Sequence, residues 1–120
     1  MKTFRNLIAG LAALMLAPGA LAHAFLDHAT PAVGSTVHGS PAEVKLWFTQ
    51  ELEPAFSTLR VFDASGKQVD RQDRQVDRGD RTLLRVSLPM LGPGTYRVVW
   101  RVLSTDAHVT EGDYTFEIAP

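Results

Sequence analysis

Three residues of this 120-residue chain have the types and placement to share one metal ion: His23, Asp106 and His108. Ala20-Leu21-Ala22 is a small-x-small cleavage site, so a cut after Ala22 makes His23 the new N-terminus. Its α-amine and its ring Nδ1 can then close on one ion as a six-membered chelate, which no internal histidine offers. Asp106 and His108 stand two apart at the end of the longest strand signal, where an extended backbone turns both side chains to one side. Together these residues supply an amine nitrogen, two imidazole nitrogens and a carboxylate oxygen. Such tetragonal N,O donation suits Cu(II), which also tops the divalent affinity series. Zinc accepts the same donors but favours a tetrahedral arrangement. The competing reading of the Asp106/His108 pair is structural, a carboxylate and an imidazole bracing a strand end.

The leader that would uncover His23 spans residues 1–22. Lys2 and Arg5 make a positive start, Leu7 to Leu16 an apolar run, and Ala20-Leu21-Ala22 the cleavage site. A cut after Ala24 also fits the small-x-small rule and would discard His23. Leucine at the middle position extends the apolar run and favours the first cut. A membrane anchor is the weaker alternative, because Leu7 to Ala22 is interrupted by Pro18-Gly19 and falls short of the ~20 residues that span a bilayer. The expectation is a signal peptide, 1–22, and one secreted domain, 23–120.

Composition narrows the chemistry further. The chain holds 12 basic and 13 acidic residues. Loss of the leader removes two basic ones and leaves a net charge of −3, which speaks against nucleic acid. There is no cysteine, so the domain is held by packing and thiolate metal sites are excluded. Of the three methionines, Met1 and Met15 leave with the leader and Met90 stays.

The elements that must position the candidate ligands read as short strands. Val44, Leu46 and Phe48 alternate with Lys45 and Trp47. Leu59 to Phe62 precedes the turn signal Asp63-Ala64-Ser65-Gly66, and Thr82 to Leu88 ends at Pro89. After the turn Leu91 to Gly94, Thr95 to Leu103 carries Tyr96, Val98, Trp100 and Val102 on one face, and Tyr114, Phe116 and Ile118 mark the last strand. Helical periodicity is absent after the leader. Several short strands in about 100 residues predict an all-β domain, an immunoglobulin-like sandwich or a small Greek-key barrel.

Other residues have weaker claims. His28 falls in the first strand and His38 in a turn-like stretch, and each reads as solvent-facing before it reads as a ligand. Trp47, Trp100 and Met90 are expected in the core. Asp70-Arg71, Asp73-Arg74, Asp77-Arg78 and Asp80-Arg81 pack four acid–base pairs into twelve residues. They predict a solvated loop or charged edge strand, with a docking surface as the alternative. No nucleophile elbow, phosphate-cradling glycine loop or His-Glu-x-x-His helix is present.

Three stretches and a closing motif together resemble the CopC family of periplasmic copper-binding proteins. They are His23-Ala24-Phe25-Leu26, Leu46-Trp47-Phe48-Thr49-Gln50-Glu51-Leu52, Pro93 to His108, and Gly112-Asp113-Tyr114-Thr115-Phe116. The resemblance implies a seven-stranded Greek-key β-sandwich or barrel that binds one Cu(II) through the N-terminal histidine. The family's Ser-x-Asp-x-His motif places its aspartate and histidine ligands on Asp106 and His108. Glu51 becomes a candidate for orienting a ligand from outside the coordination sphere. The resemblance also implies a role in copper resistance or uptake and a CopD-type inner-membrane copper transporter as partner, and the chain is expected to act as a monomer. Many relatives hold Cu(I) in a methionine-rich loop, but Val61 to Val76 contains no methionine, so a Cu(II)-only member is expected. Two other functions compete with this one. A terminal histidine with a second imidazole resembles the copper brace of lytic polysaccharide monooxygenases, but Asp106 would fill the position that oxygen chemistry needs open. A pure interaction module would leave the histidines incidental.

Overall fold

The computed structural model describes residues 24–120. The leader and His23 lie outside the described residues. Strands run at β1 (Leu26–Thr30), β2 (Thr36–Val37), β3 (Glu43–Phe48), β4 (Thr58–Phe62), β5 (Gln75–Val76), β6 (Leu83–Ser87), β7 (Gly94–Leu103) and β8 (Val109–Ile118), with one 3₁₀ turn at Pro54–Phe56. Four strands in the order β1-β3-β6-β5 face four in the order β2-β8-β7-β4. This is the predicted all-β sandwich. The two-residue strands β2 and β5 bring the described strands to eight, where the resemblance implied seven.

Period-two alternation places the core. Val44, Leu46 and Phe48 of β3 and Leu84 and Val86 of β6 point inward from one sheet. Tyr96, Val98 and Val102 of β7 and Tyr114, Phe116 and Ile118 of β8 meet them from the other. Burying such apolar surface is the main favourable term for a domain with no disulfide.

Two residues expected in the core are elsewhere. Trp47 has the opposite parity to Leu46 and lies on the outer face of its sheet, where its ring stacks on His28 at a centroid distance of 4.4 Å. Met90 is 88% exposed, because it belongs to the connection between β6 and β7 and not to a strand face. Trp100 is half-buried against the core, edge-on to Phe48 and tilted against Tyr114.

The aspartates of the Asp-Arg segment are not merely solvated. Asp70 is buried and accepts from the main-chain N–H of Val61 (2.8 Å) and Gln72 (2.9 Å). Asp73 accepts from Ser87 N–H, Asp77 from Gly79 and Asp80, and Asp80 from Thr82. Each carboxylate satisfies backbone donors of the turns or of the neighbouring strands β4 and β6.

Candidate metal centre

The long hairpin β7–β8 carries Asp106 and His108 at its tip. Ten register pairs run from Gly94↔Ile118 to Leu103↔Val109. The chain then reverses through Ser104 to His108. Asp106 and His108 are therefore not on an extended strand, as the spacing had suggested. Ala107 between them has φ +69°, a left-handed conformation that non-glycine residues rarely adopt. A turn nonetheless brings the two side chains together, with His108 Nδ1 and Asp106 Oδ1 3.4 Å apart and both side chains 43% exposed.

Ser104 holds this turn. It is fully buried, its N–H donates to the His108 carbonyl (3.0 Å), and its carbonyl accepts from Ala107 N–H (2.9 Å). Its hydroxyl accepts from His108 N–H (3.3 Å) and donates to the Asp106 carboxylate. That hydroxyl is the main reason the Asp106 carboxyl titrates below its ordinary value, and the adjacent His108 adds to the effect. Asp106 is thus an anion at neutral pH, ready to accept a cation.

The turn is braced from outside as well. Leu52 bridges to Ser104, Glu53 N–H donates to the Leu103 carbonyl (2.8 Å), and Thr105 N–H donates to the Glu51 carbonyl (3.0 Å). Glu51 therefore meets the site through its backbone, while the residue itself is exposed. The start of the described chain reaches the same end of the sandwich. Thr110 Oγ1 donates to the Ala24 carbonyl (2.6 Å), and Phe25 and Thr49 exchange two hydrogen bonds.

His28 and His38 do not join them. His28 bonds Asp27 through Nδ1 (2.7 Å) on the outer face, and His38 is exposed between β2 and β3. Among the described residues Asp106 and His108 form a two-donor set with no third His, Asp or Glu gathered to it. An ionised carboxylate oxygen and an imidazole fit a divalent N,O-seeking cation, with further donors still to be supplied.

Comparison with known proteins bears on this hairpin and on the sandwich alike. Residues 26–119 match the family model of the CopC domain. The chain belongs to the CopC family. It is 38% identical to CopC from Methylosinus trichosporium OB3b, and that crystal structure aligns with a TM-score of 0.77 over 82% of this chain and 95% of that one. The methionine-rich copper resistance protein PcoC of Escherichia coli aligns at 0.69 with 29% identity, over 81% of this chain and 99% of that one. Protein YobA of Escherichia coli (strain K12) is 32% identical over 118 residues, covering 98% of this chain and 95% of YobA.

Ser104, Ala24 and Thr110 support this end of the sandwich, and of the three only Ser104 sits in the Ser-x-Asp-x-His motif. Ser104 had a signal, standing two residues before Asp106 as Asp106 does before His108. Ala24 and Thr110 had none, since 86 residues separate them.

Proposed function

We propose that this protein binds one Cu(II) per chain in the periplasm and sequesters or delivers it, with His23, Asp106 and His108 as ligands. The observation that carries the reading is the Asp106/His108 pair, locked by Ser104 at the same end of the sandwich to which Thr110 ties the chain at Ala24. His23 is bonded to Ala24, and cleavage after Ala22 would free its amine. Ala24 is fully buried and belongs to the core, which supports the domain bounds 23–120 and speaks against a cut after Ala24. The copper in the name of PcoC supports the choice of metal.

Copper is cargo here, held and released without redox chemistry at a second sulfur site. Met90, the one methionine among the described residues, is exposed in the β6–β7 connection, at the opposite end of β7 from the hairpin tip. Delivery to a CopD-type membrane transporter fits a monomer that presents its metal at a solvent-facing turn. Protons compete with the metal for the amine and both imidazoles, so affinity falls as the medium is acidified.

The test is a Cu(II) titration against a competing chelator, with EPR, on protein beginning at His23 and on protein carrying one extra residue ahead of it. Tight one-to-one binding with a nitrogen-rich tetragonal spectrum, lost on extension, is the expected result. Binding indifferent to the extension would remove His23 from the site.

A further inference from the structure

Ala24 and Phe25, the first described residues, are fixed by contacts to both sheets. Ala24 has no exposed surface, and its methyl group belongs to the core cluster between the sheets. Its carbonyl accepts from Thr110 Oγ1 at 2.6 Å. One residue later, Phe25 N–H donates to Thr49 Oγ1 (3.0 Å) and Thr49 N–H donates to the Phe25 carbonyl (2.9 Å).

These contacts have a direction. Thr110 pairs with Val102 in register and shares the inner face of its sheet, half-buried at the hairpin end. It lies two residues beyond His108. Thr49 directly follows β3, the strand on which β1 pairs. The chain is therefore tied to both sheets just before β1 begins. A residue bonded to Ala24 lies one peptide step away, about 3.8 Å between α-carbons.

We infer that Thr110, assisted by Thr49, is a positioning residue for the metal site, clamping Ala24-Phe25 so that the N-terminal histidine is delivered to Asp106 and His108. The inference rests on the copper reading above. A loose terminal ligand must be ordered each time metal binds, and fixing it beforehand removes that cost. Partners that orient ligands without touching the metal are often worth tenfold or more in affinity. The clamp also explains why a buried alanine follows the terminal histidine, since a larger side chain would have to displace core atoms.

The experiment uses protein secreted and processed to begin at His23, its terminus verified by mass. Wild type, Thr110→Val, Thr110→Ser and Thr49→Val are titrated with Cu(II) against a competing chelator, and their EPR spectra are recorded. Urea unfolding of the metal-free forms identifies which are folded under assay conditions. Thr110→Val keeps the shape and loses the donor, so it should bind about tenfold more weakly with an altered copper hyperfine pattern. Thr110→Ser keeps the donor and should stay close to wild type in both readouts. Thr49→Val should weaken binding in the same direction, and it carries the test if Thr110→Val does not fold. Wild-type affinity and spectrum in the folded valine variants would overturn the clamp and leave the copper reading standing. Wild type binding no more tightly than the extended form would overturn both.

Discussion

Small oxygen-bearing side chains hold the loops of this protein. Asp63 accepts from Ser65 and Lys67 N–H, Asp73 from Ser87 and Asp80 from Thr82. The side-chain hydroxyls of Ser65, Ser87 and Thr82, and after them these backbone N–H groups, hold all three carboxyls below their ordinary value of 3.8. A carboxyl that is harder to protonate when folded stabilises the fold above the unfolded value. That contribution is lost as pH falls through and below it. The urea midpoint of the metal-free protein should therefore be lower at pH 3 than at pH 6, and Asp80→Asn should narrow the gap. Equal midpoints at the two pH values would show that these turns add nothing. Ser104 belongs to the same class, with the added task of aiming the Asp106 carboxylate.

At the scale of elements, two contacts decide how the strands sit. Gly112 pairs with Trp100 across the β7–β8 ladder, and a methyl group there would come within 2.5 Å of the indole. Phe48 and Tyr114 flank that ring, so it cannot swing aside without disturbing the core. Gly112→Ala is expected to cost ~1–3 kcal/mol and to change the near-ultraviolet circular dichroism of Trp100. On the other side, Asp70 closes the edge of β4 by accepting Val61 N–H, with Gln68 Nε2 also donating to it. Asp70→Ala leaves the buried Val61 N–H without its acceptor and should lose ~1–3 kcal/mol in urea unfolding. An unchanged midpoint would mean that water replaces the carboxylate.

Across the whole molecule, two sheets packed face to face hold four segments at one end. They are the Ala24-Phe25 start, the Thr49–Glu53 stretch, the Arg81–Leu83 turn and the β7–β8 tip. Leu52 N–H donates to the Arg81 carbonyl and Leu52 bridges to Ser104, so the third and fourth of these segments are tied through one fully buried leucine. A ligand that binds only the folded arrangement stabilises all of it by mass action. Free Cu(II) at about a thousand times Kd should add ~4 kcal/mol to unfolding, read as a raised Tm. The rise should vanish when one residue precedes His23, and a rise of equal size in that form would assign the copper elsewhere.

What the residues determined by themselves was local or periodic. Alternation in Val44-Leu46-Phe48 and Tyr96-Val98-Val102 specified the strands and their buried faces, because a strand's side chains switch face at every residue. The spacing of Asp106 and His108 marked a pair that does meet, although through a turn with a left-handed Ala107 that the extended reading did not foresee. Residue type misled where parity should have ruled, as at Trp47, and where a hydrophobe fell in a connection, as at Met90. Only the tertiary structure decided that Ala24 reaches Thr110 and that Leu52 reaches Ser104. Such contacts depend on which strand ends share one end of the sandwich, and no short window of sequence carries that register.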